Sequence, residues 1–408
     1  MKKNMTLPLV GGALLAASVG VNAEGVIEAT TGVNINETAA LKNLGIEVGG
    51  WADAGITYAS HSSRDGNNGA IPFGTDRVNE FQLNQAYLFL EKAVDTSGSS
   101  WDIGGRVDFM FGTDAPSTQA TGWDNQILRS GVNGYGPNVR DFNQYDLAFP
   151  QAYVEIFAPL GNGLTVKAGH FYTIIGYEVV TSPDNFFYSH AYTMNYGEPF
   201  THSGVLATYQ LNDNWSVTGG AVTGWDNFRQ DGGDWSFLGG VNWASTDGKS
   251  ALAVSLITGE NGNDSVGQNT TMYSIVFSHD FSGRLHYVFQ HDLGVQEDGN
   301  APGNDADWYG INQYLTYDLN DKLALGLRAE WFSDRAAAVG DNESGRLGTG
   351  FNANYYAISA GVNYSPVGWL KFRPEVRYDW ADTNGRGTAF GGNKNEQVQV
   401  AMDMIVTF

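Results

Sequence analysis

The sequence predicts an all-β fold: a transmembrane antiparallel up-and-down β-barrel of about 16 strands, short turns at one rim and long loops at the other. Three observations predict it. In the last stretch, Val398, Val400, Met402, Met404, Val406 and Phe408 fall on one side of an extended chain, and Gln399, Asp403 and Thr407 on the other. That is the period of two of a strand with one apolar face. Strand signals recur evenly from Gly45 to Phe408, and their connections alternate short and long, as in outer-membrane barrels and unlike Greek-key sandwiches. After the first residues, no stretch approaches the roughly 18 consecutive apolar residues of a spanning helix.

The start of the chain sets the compartment. Lys2 and Lys3, the apolar run Leu7–Val21 and the small-x-small triplet Val21-Asn22-Ala23 read as a secretory signal peptide over residues 1–23. Its removal takes two lysines and no acid from a net charge of −22, leaving −24. Residues 24–44 read as a periplasmic lead-in, with a helical turn over 36–42 capped by Asn36. Residues 45–408 form one barrel domain, placed in a Gram-negative outer membrane with turns in the periplasm and loops outside. With no cysteine, the fold has no disulfides to rest on. The acidic balance argues against a nucleic-acid partner, whose phosphates need Lys and Arg. It fits a surface facing lipopolysaccharide, with divalent cations as bridges.

The expected strands are 45–60, 79–92, 100–111, 146–159, 163–172, 201–211, 214–225, 235–245, 250–259, 271–281, 283–292, 306–319, 322–334, 353–365, 369–380 and 396–408. Turn-forming pairs such as Gly161-Asn162, Asn212-Asp213, Ser282-Gly283 and Asn320-Asp321 close the short connections. In 369–380, Leu370, Phe372, Pro374, Val376, Tyr378 and Trp380 alternate with Lys371, Arg373, Glu375, Arg377 and Asp379. Strand 322–334 sets Leu325 and Leu327 against Arg328 and Glu330; strand 101–111 sets Ile103, Val107 and Phe109 against Arg106 and Asp108. Charge-free rows suit acyl chains and the ionised rows suit a solvated lumen. Strand 79–92 changes phase between Leu83 and Ala86, as a bulge would make it. Aromatics gather at both strand ends, at the heights of a bilayer's two interfaces.

Sixteen strands enclose an aqueous lumen, which makes passive diffusion of small hydrophilic solutes the leading function. The third long connection, Thr173–Phe200, is unusually apolar and aromatic for a surface loop, so it is expected to fold into the lumen. Its acids are Glu178, Asp184 and Glu198, and it has no Lys or Arg. Lumen-facing bases are expected at Arg106, Arg328, Lys371, Arg373 and Arg377. Acids on the loop opposite basic walls would set a transverse field across the constriction. The same bases could instead pair with Glu330, Glu375 and Asp379 on their own wall.

Ser182-Pro183-Asp184-Asn185-Phe186-Phe187-Tyr188-Ser189, Gly197-Glu198-Pro199-Phe200-Thr201-His202-Ser203-Gly204 and Gly224-Trp225-Asp226-Asn227 resemble the β-barrel porin-2 family, described as outer-membrane-protein-L-like. The resemblance implies an outer-membrane porin-like barrel and names no solute and no binding residue. A C-terminal strand ending in Phe, here Phe408, is by the same kind of resemblance a signal to the barrel assembly machinery. General porins of this size are often trimers, so a homotrimer is a further expectation.

No cofactor or metal is expected. The histidines carry no zinc spacing, and Asn263-Asp264 and Asn304-Asp305-Ala306-Asp307 lack that of a calcium loop. An enzyme is not expected either: adjacent His202 and Ser203 point to opposite faces of a strand, and no Gly-x-Ser-x-Gly occurs. Two other readings stay open. Trp51, Tyr153, Tyr314 and Phe332 could form a sugar slide in a substrate-specific channel, or the long loops could serve an adhesin or receptor whose pore is blocked.

Overall fold

The computed structural model describes residues 25–61, 77–125, 145–229, 235–260, 269–301, 304–335, 346–347 and 351–408. The signal-peptide residues 1–23 and the pair Asn263-Asp264 lie outside them. The strands are β1 (Glu47–Ala59), β2 (Phe81–Lys92), β3 (Asp102–Gly112), β4 (Asp146–Ala148), β5 (Ala152–Ala158), β6 (Leu164–Tyr172), β7 (Thr201–Gln210), β8 (Trp215–Val222) and β9 (Ser236–Ala244). They continue with β10 (Ser250–Glu260), β11 (Asn269–Asp280), β12 (Leu285–Ala301), β13 (Asn304–Asn320), β14 (Leu323–Arg335), β15 (Ala353–Val367), β16 (Leu370–Asp382) and β17 (Glu396–Thr407). Sequence neighbours pair antiparallel throughout, and β4 and β5 both pair with β3, so Pro150 interrupts one stave rather than separating two. Sixteen staves result. The sheet closes where β17 pairs with β1, from Trp51↔Thr407 to Ala59↔Gln399, leaving no free edge for another chain to add to.

The alternation of side chains sorts as the sequence implies. Leu325, Leu327, Ile358, Val376, Val398, Val400 and Met402 stand exposed on the outer face, while Arg328, Glu330, Arg373, Glu375, Arg377, Asp379, Gln399 and Asp403 are buried inside. Tyr309, Trp331, Tyr356 and Trp380 form a ladder of ring contacts on the loop side, with centroid spacings of 4.9, 6.4 and 5.2 Å. Trp215 and Trp243 pair at 6.2 Å on the turn side. These are the two belts of an interface-anchored barrel. A charge on the outer face between them meets hydrocarbon. Leu327→Arg is therefore expected to lower folding stability in phospholipid by about 2–4 kcal/mol, read by urea titration of the folded band. A loss no larger than that of a loop control would place Leu327 outside the lipid.

Three local departures have physical causes. The phase change in β2 is a bulge: Asp53 faces Gln85 but Ala54 faces Leu83, so Asn84 and Gln85 both turn inward. The connection expected at 293–305 is largely strand, and β12 and β13 are 17 residues each. Gly294 lacks a side chain and the ring of its partner Trp308 fills the space, so the ladder runs on. In the lead-in, the α-helices are Val26–Thr31 and Ala39–Leu44, with a 3-10 turn at Ile35–Glu37 between them. Asn36 does not cap the expected helix. It bonds the backbone of Val48 in both directions, at 3.0 and 2.9 Å, and ties the lead-in to β1.

Candidate functional site

The segment between β6 and β7, residues 173–200, folds into the barrel. Its apolar side chains are why. Ile175 packs with Phe171, Leu206, Val222, Leu238 and Met272 of β6–β11. Val180, Met194 and Phe200 pack with Trp51, Tyr87, Met110 and Ile405 on the opposite wall. Phe187 meets Val276, Val288 and Tyr314, and Tyr192 meets Trp308, Phe332 and Tyr355. Burying one such side chain is worth about 1.5–3 kcal/mol. Phase-breaking apolar residues on lumen-facing positions, such as Leu238 and Met272, therefore serve the loop, not the bilayer.

Buried backbone must also be satisfied, and the wall arginines do this. Arg373, whose guanidinium pairs with Asp403, donates from one nitrogen to the carbonyls of Ser182, Asn185 and Phe187 at 2.8, 2.9 and 3.0 Å. Arg377 donates to the His190 carbonyl at 2.9 Å and pairs with Asp379 at 2.7 Å and Glu330 at 2.9 Å. Arg328 donates to Glu178 at 2.8 Å and to the Ser189 carbonyl at 2.6 Å. All three are at most 2% exposed, so they touch the loop instead of facing it across water. Lys371 donates to the Pro183 carbonyl at 2.8 Å. Acidic side chains accept from further donors of the loop: Ser182 Oγ donates to Asp53 at 2.6 Å, Ser189 N–H to Glu375 at 2.9 Å and Tyr192 N–H to Glu330 at 2.6 Å.

The three loop acids have separate surroundings. Burial alone would raise Glu178, but Arg328, the His190 ring at 3.1 Å and the Ala191 N–H at 2.8 Å hold it well below the usual carboxylate range. Asp184 accepts from Thr181 Oγ1 at 2.6 Å and borders open space. Glu198 is pushed well above its ordinary value by burial and by Asp292. The structure thus joins Glu178 to Arg328 and brings Lys371, Arg373 and Arg377 onto the loop's backbone. Arg106 lies elsewhere, pairing with Asp108 at 2.7 Å and Glu91 at 2.9 Å.

Beside Arg106 the lumen stays open. A cavity of about 420 Å³ lies between the loop and the β3–β9 wall, reaching the short turn at Asp213, and is lined by Arg106, Glu91, Tyr153, Glu155, Lys167 and Asp184 among others. Lys167 Nζ sits 4.2 Å above the Tyr153 ring, a cation–π contact. Lys167, Glu155 and Glu91 escape a reading that follows only the most regular strands. The alternation Thr165, Lys167 against Val166, Ala168 would have placed Lys167 inward.

The distant sequence stretches meet at the loop's exit. Asp226, in the left-handed region at φ 46°, accepts from the N–H groups of Phe200 and Thr201 at 2.7 and 2.8 Å. His202 bonds the Gly224 carbonyl at 2.8 Å and Thr173 Oγ1 at 2.9 Å, so Gly224-Trp225-Asp226-Asn227 closes both ends of the loop. Ser203 takes a different partner, His170 Nδ1 at 2.8 Å. The aromatics considered for a slide are dispersed. Trp51 stacks on Tyr87 at 3.9 Å, Tyr314 donates to Glu178 at 3.0 Å, Phe332 packs beside Tyr355, and Tyr153 borders the cavity.

Over residues 45–408 the sequence matches the profile of the family described as "Putative beta-barrel porin-2, OmpL-like". No curated protein sequence matches the chain. Among solved structures, the anion-selective porin from Comamonas acidovorans is similar at a TM-score of 0.55 and 9% identity, over 89% of this chain and 99% of that one. OprB of Pseudomonas putida is similar at 0.56 and 10% identity, over 91% and 96%. The outer-membrane protein OmpT of Vibrio cholerae is similar at 0.52 and 13% identity, over 89% and 97%. At these identities the likeness is one of fold.

Proposed function

The chain belongs to this β-barrel porin family, and from that premise we propose that small hydrophilic solutes cross the outer membrane passively along the β3–β9 side of its lumen. The cavity of about 420 Å³ carries this reading, because elsewhere the loop meets the wall through paired charges and apolar contacts. Charge selection then belongs to Arg106 and Lys167 on the wall and to Asp184 on the loop, which border the same space. The clamped bases Arg328, Lys371, Arg373 and Arg377 hold the loop that shapes it, as Glu178 does from the loop's side. Reversal potentials across a planar bilayer test this. Arg106→Glu with Lys167→Glu is expected to move selectivity toward cations, and an unchanged potential would overturn the path.

Family and fold are those of a channel, and we read the protein as no enzyme. The Ser203–His170 pair supports no second reading: His170 is buried and its Nε2 has no hydrogen-bond partner among the described residues, so no acid orients the ring as a nucleophile's base requires. The partners we read are outer-membrane lipid and lipopolysaccharide outside, the assembly machinery at the last strand, and two further copies in a trimer. Phe408 is zipped to Gly50 by backbone bonds of 2.9 and 3.1 Å, which supports its role as the closing residue. Block of current by a single sugar would favour a specific channel, and absence of current a receptor barrel.

A further inference from the structure

Four cations, Arg328, Lys371, Arg373 and Arg377, clamp the first part of the loop. On the returning limb, Thr193–Phe200, Arg346 donates to the Tyr196 carbonyl at 2.7 Å and Trp308 to the Gly197 carbonyl at 3.1 Å, but the last residues are held differently. At its end Glu198, 4% exposed, meets Asp292 of β12, which is fully buried. Gln290 Nε2 donates to both carboxyl groups, at 3.0 Å to Asp292, and Ser274 donates to Asp292 at 2.6 Å. The Glu198 carboxyl is closely packed on its other side, since a Cβ at Gly176 would collide with it. The other charged or titratable groups around the pair are Glu178 on the loop, held by Arg328 of β14, and His291 on the neighbouring position of β12. Arg328, the nearby cation, is engaged by Glu178 and Ser189. Two dry carboxyl groups sharing one donor do not both ionise while they stay together, so the docked state keeps a proton between them.

We infer that Glu198 and Asp292 form a proton-held latch that keeps the returning limb against β12 and lets it go when both ionise, opening the pore as pH rises. The limb is placed to do this. Met194, Glu198, Pro199 and Phe200 all border the cavity, so their withdrawal widens it. The limb is bounded by the Arg377 contact at His190 and by Asp226 at Phe200, which confines the motion to a few residues. The direction follows from linkage. A carboxyl group that holds its proton in the docked state gives docking stability that is present at low pH and lost as pH rises through its docked value. The upward displacement of Glu198 by burial and Asp292 agrees with this sign.

The test compares the whole protein with Glu198→Gln, which keeps a neutral hydrogen-bonding group of the same shape. Wild-type conductance is expected to rise several-fold as the pH is raised, and that of the variant to stay at the closed level throughout. At the pH of low conductance, infrared difference spectra between the two in detergent are expected to show one protonated-carboxyl contribution that the variant lacks. Equal pH profiles, or equal bands, would overturn the latch. Heat-modified gel mobility checks that the variant folds. The infrared comparison needs no current, so it decides the latch even where absent conductance would sink the porin reading.

Discussion

Arg328→Met is expected to be the most damaging single substitution in the lumen. It leaves Glu178, Glu330 and Glu375, which lie 2.8, 3.6 and 3.7 Å from the guanidinium, without that cation. Each is buried, and breaking such a pair from one side costs about 3–5 kcal/mol, because the surviving charge stays dry without its guanidinium, Glu178 keeping only its contacts with Tyr314, Ala191 and His190. Arg377 still reaches Glu330 and Ser189 still reaches Glu375, so Glu178 carries most of the loss. Urea titration of the folded barrel reads it. Adding Glu178→Gln should restore about half, since it removes the stranded charge but not the lost bonds to Ser189. Equal loss in single and double variants would mean that the guanidinium acts on the loop backbone alone. Acid offers a second view: Glu178 is held below its ordinary range, so its pairing persists above the unfolded value and is lost only when pH falls through the lower, docked one.

The difference between what the sequence conveys and what it withholds is visible in strand β16. Its alternation told which residues face lipid, because hydrocarbon tolerates no charge and so imposes a strict period of two. Val376 and Tyr378 are indeed outside, and Arg373, Glu375, Arg377 and Asp379 inside. Periodicity assigns a face, however, and not a partner. Whether Arg373 would look across water or grip a loop depended on residues 182–187, nearly two hundred positions away. The loop's inward path was legible from its own apolar side chains. What fills the lumen around it was not, because Leu238, Ile257 and Met272 look like strand residues of either face until Ile175 is placed among them. Likewise, the acidic residues of the loop share one type but have three surroundings. Burial and one neighbouring guanidinium or carboxyl group separate Glu178 from Glu198.

Replacing residues 178–198 with a short Gly/Ser linker should raise conductance more than any point substitution, yet cost less stability than Arg328→Met. The staves do not need the loop: β6 and β7 pair up to Tyr172↔Thr201, at its very base. Without the loop, water enters and reaches Arg328, Arg373, Glu375, Arg377, Asp379 and Asp403 together. Opposite charges a few ångströms apart in water lose little by exposure, of order 1 kcal/mol per pair or less, whereas one charge stranded in a dry interior loses several times that. What disappears is mainly apolar burial by Val180, Phe187 and Tyr192, and it is offset in part by the conformational entropy of ordering the loop. Planar-bilayer recordings and urea titration of the same preparation give both quantities. If the linker variant conducts no better than the wild type, solutes do not pass alongside the loop, and the route along Arg106 and Lys167 is wrong. If instead it unfolds more readily than Arg328→Met, the loop is a structural core of the barrel, and the dry ion pairs are its consequence and not its fastening.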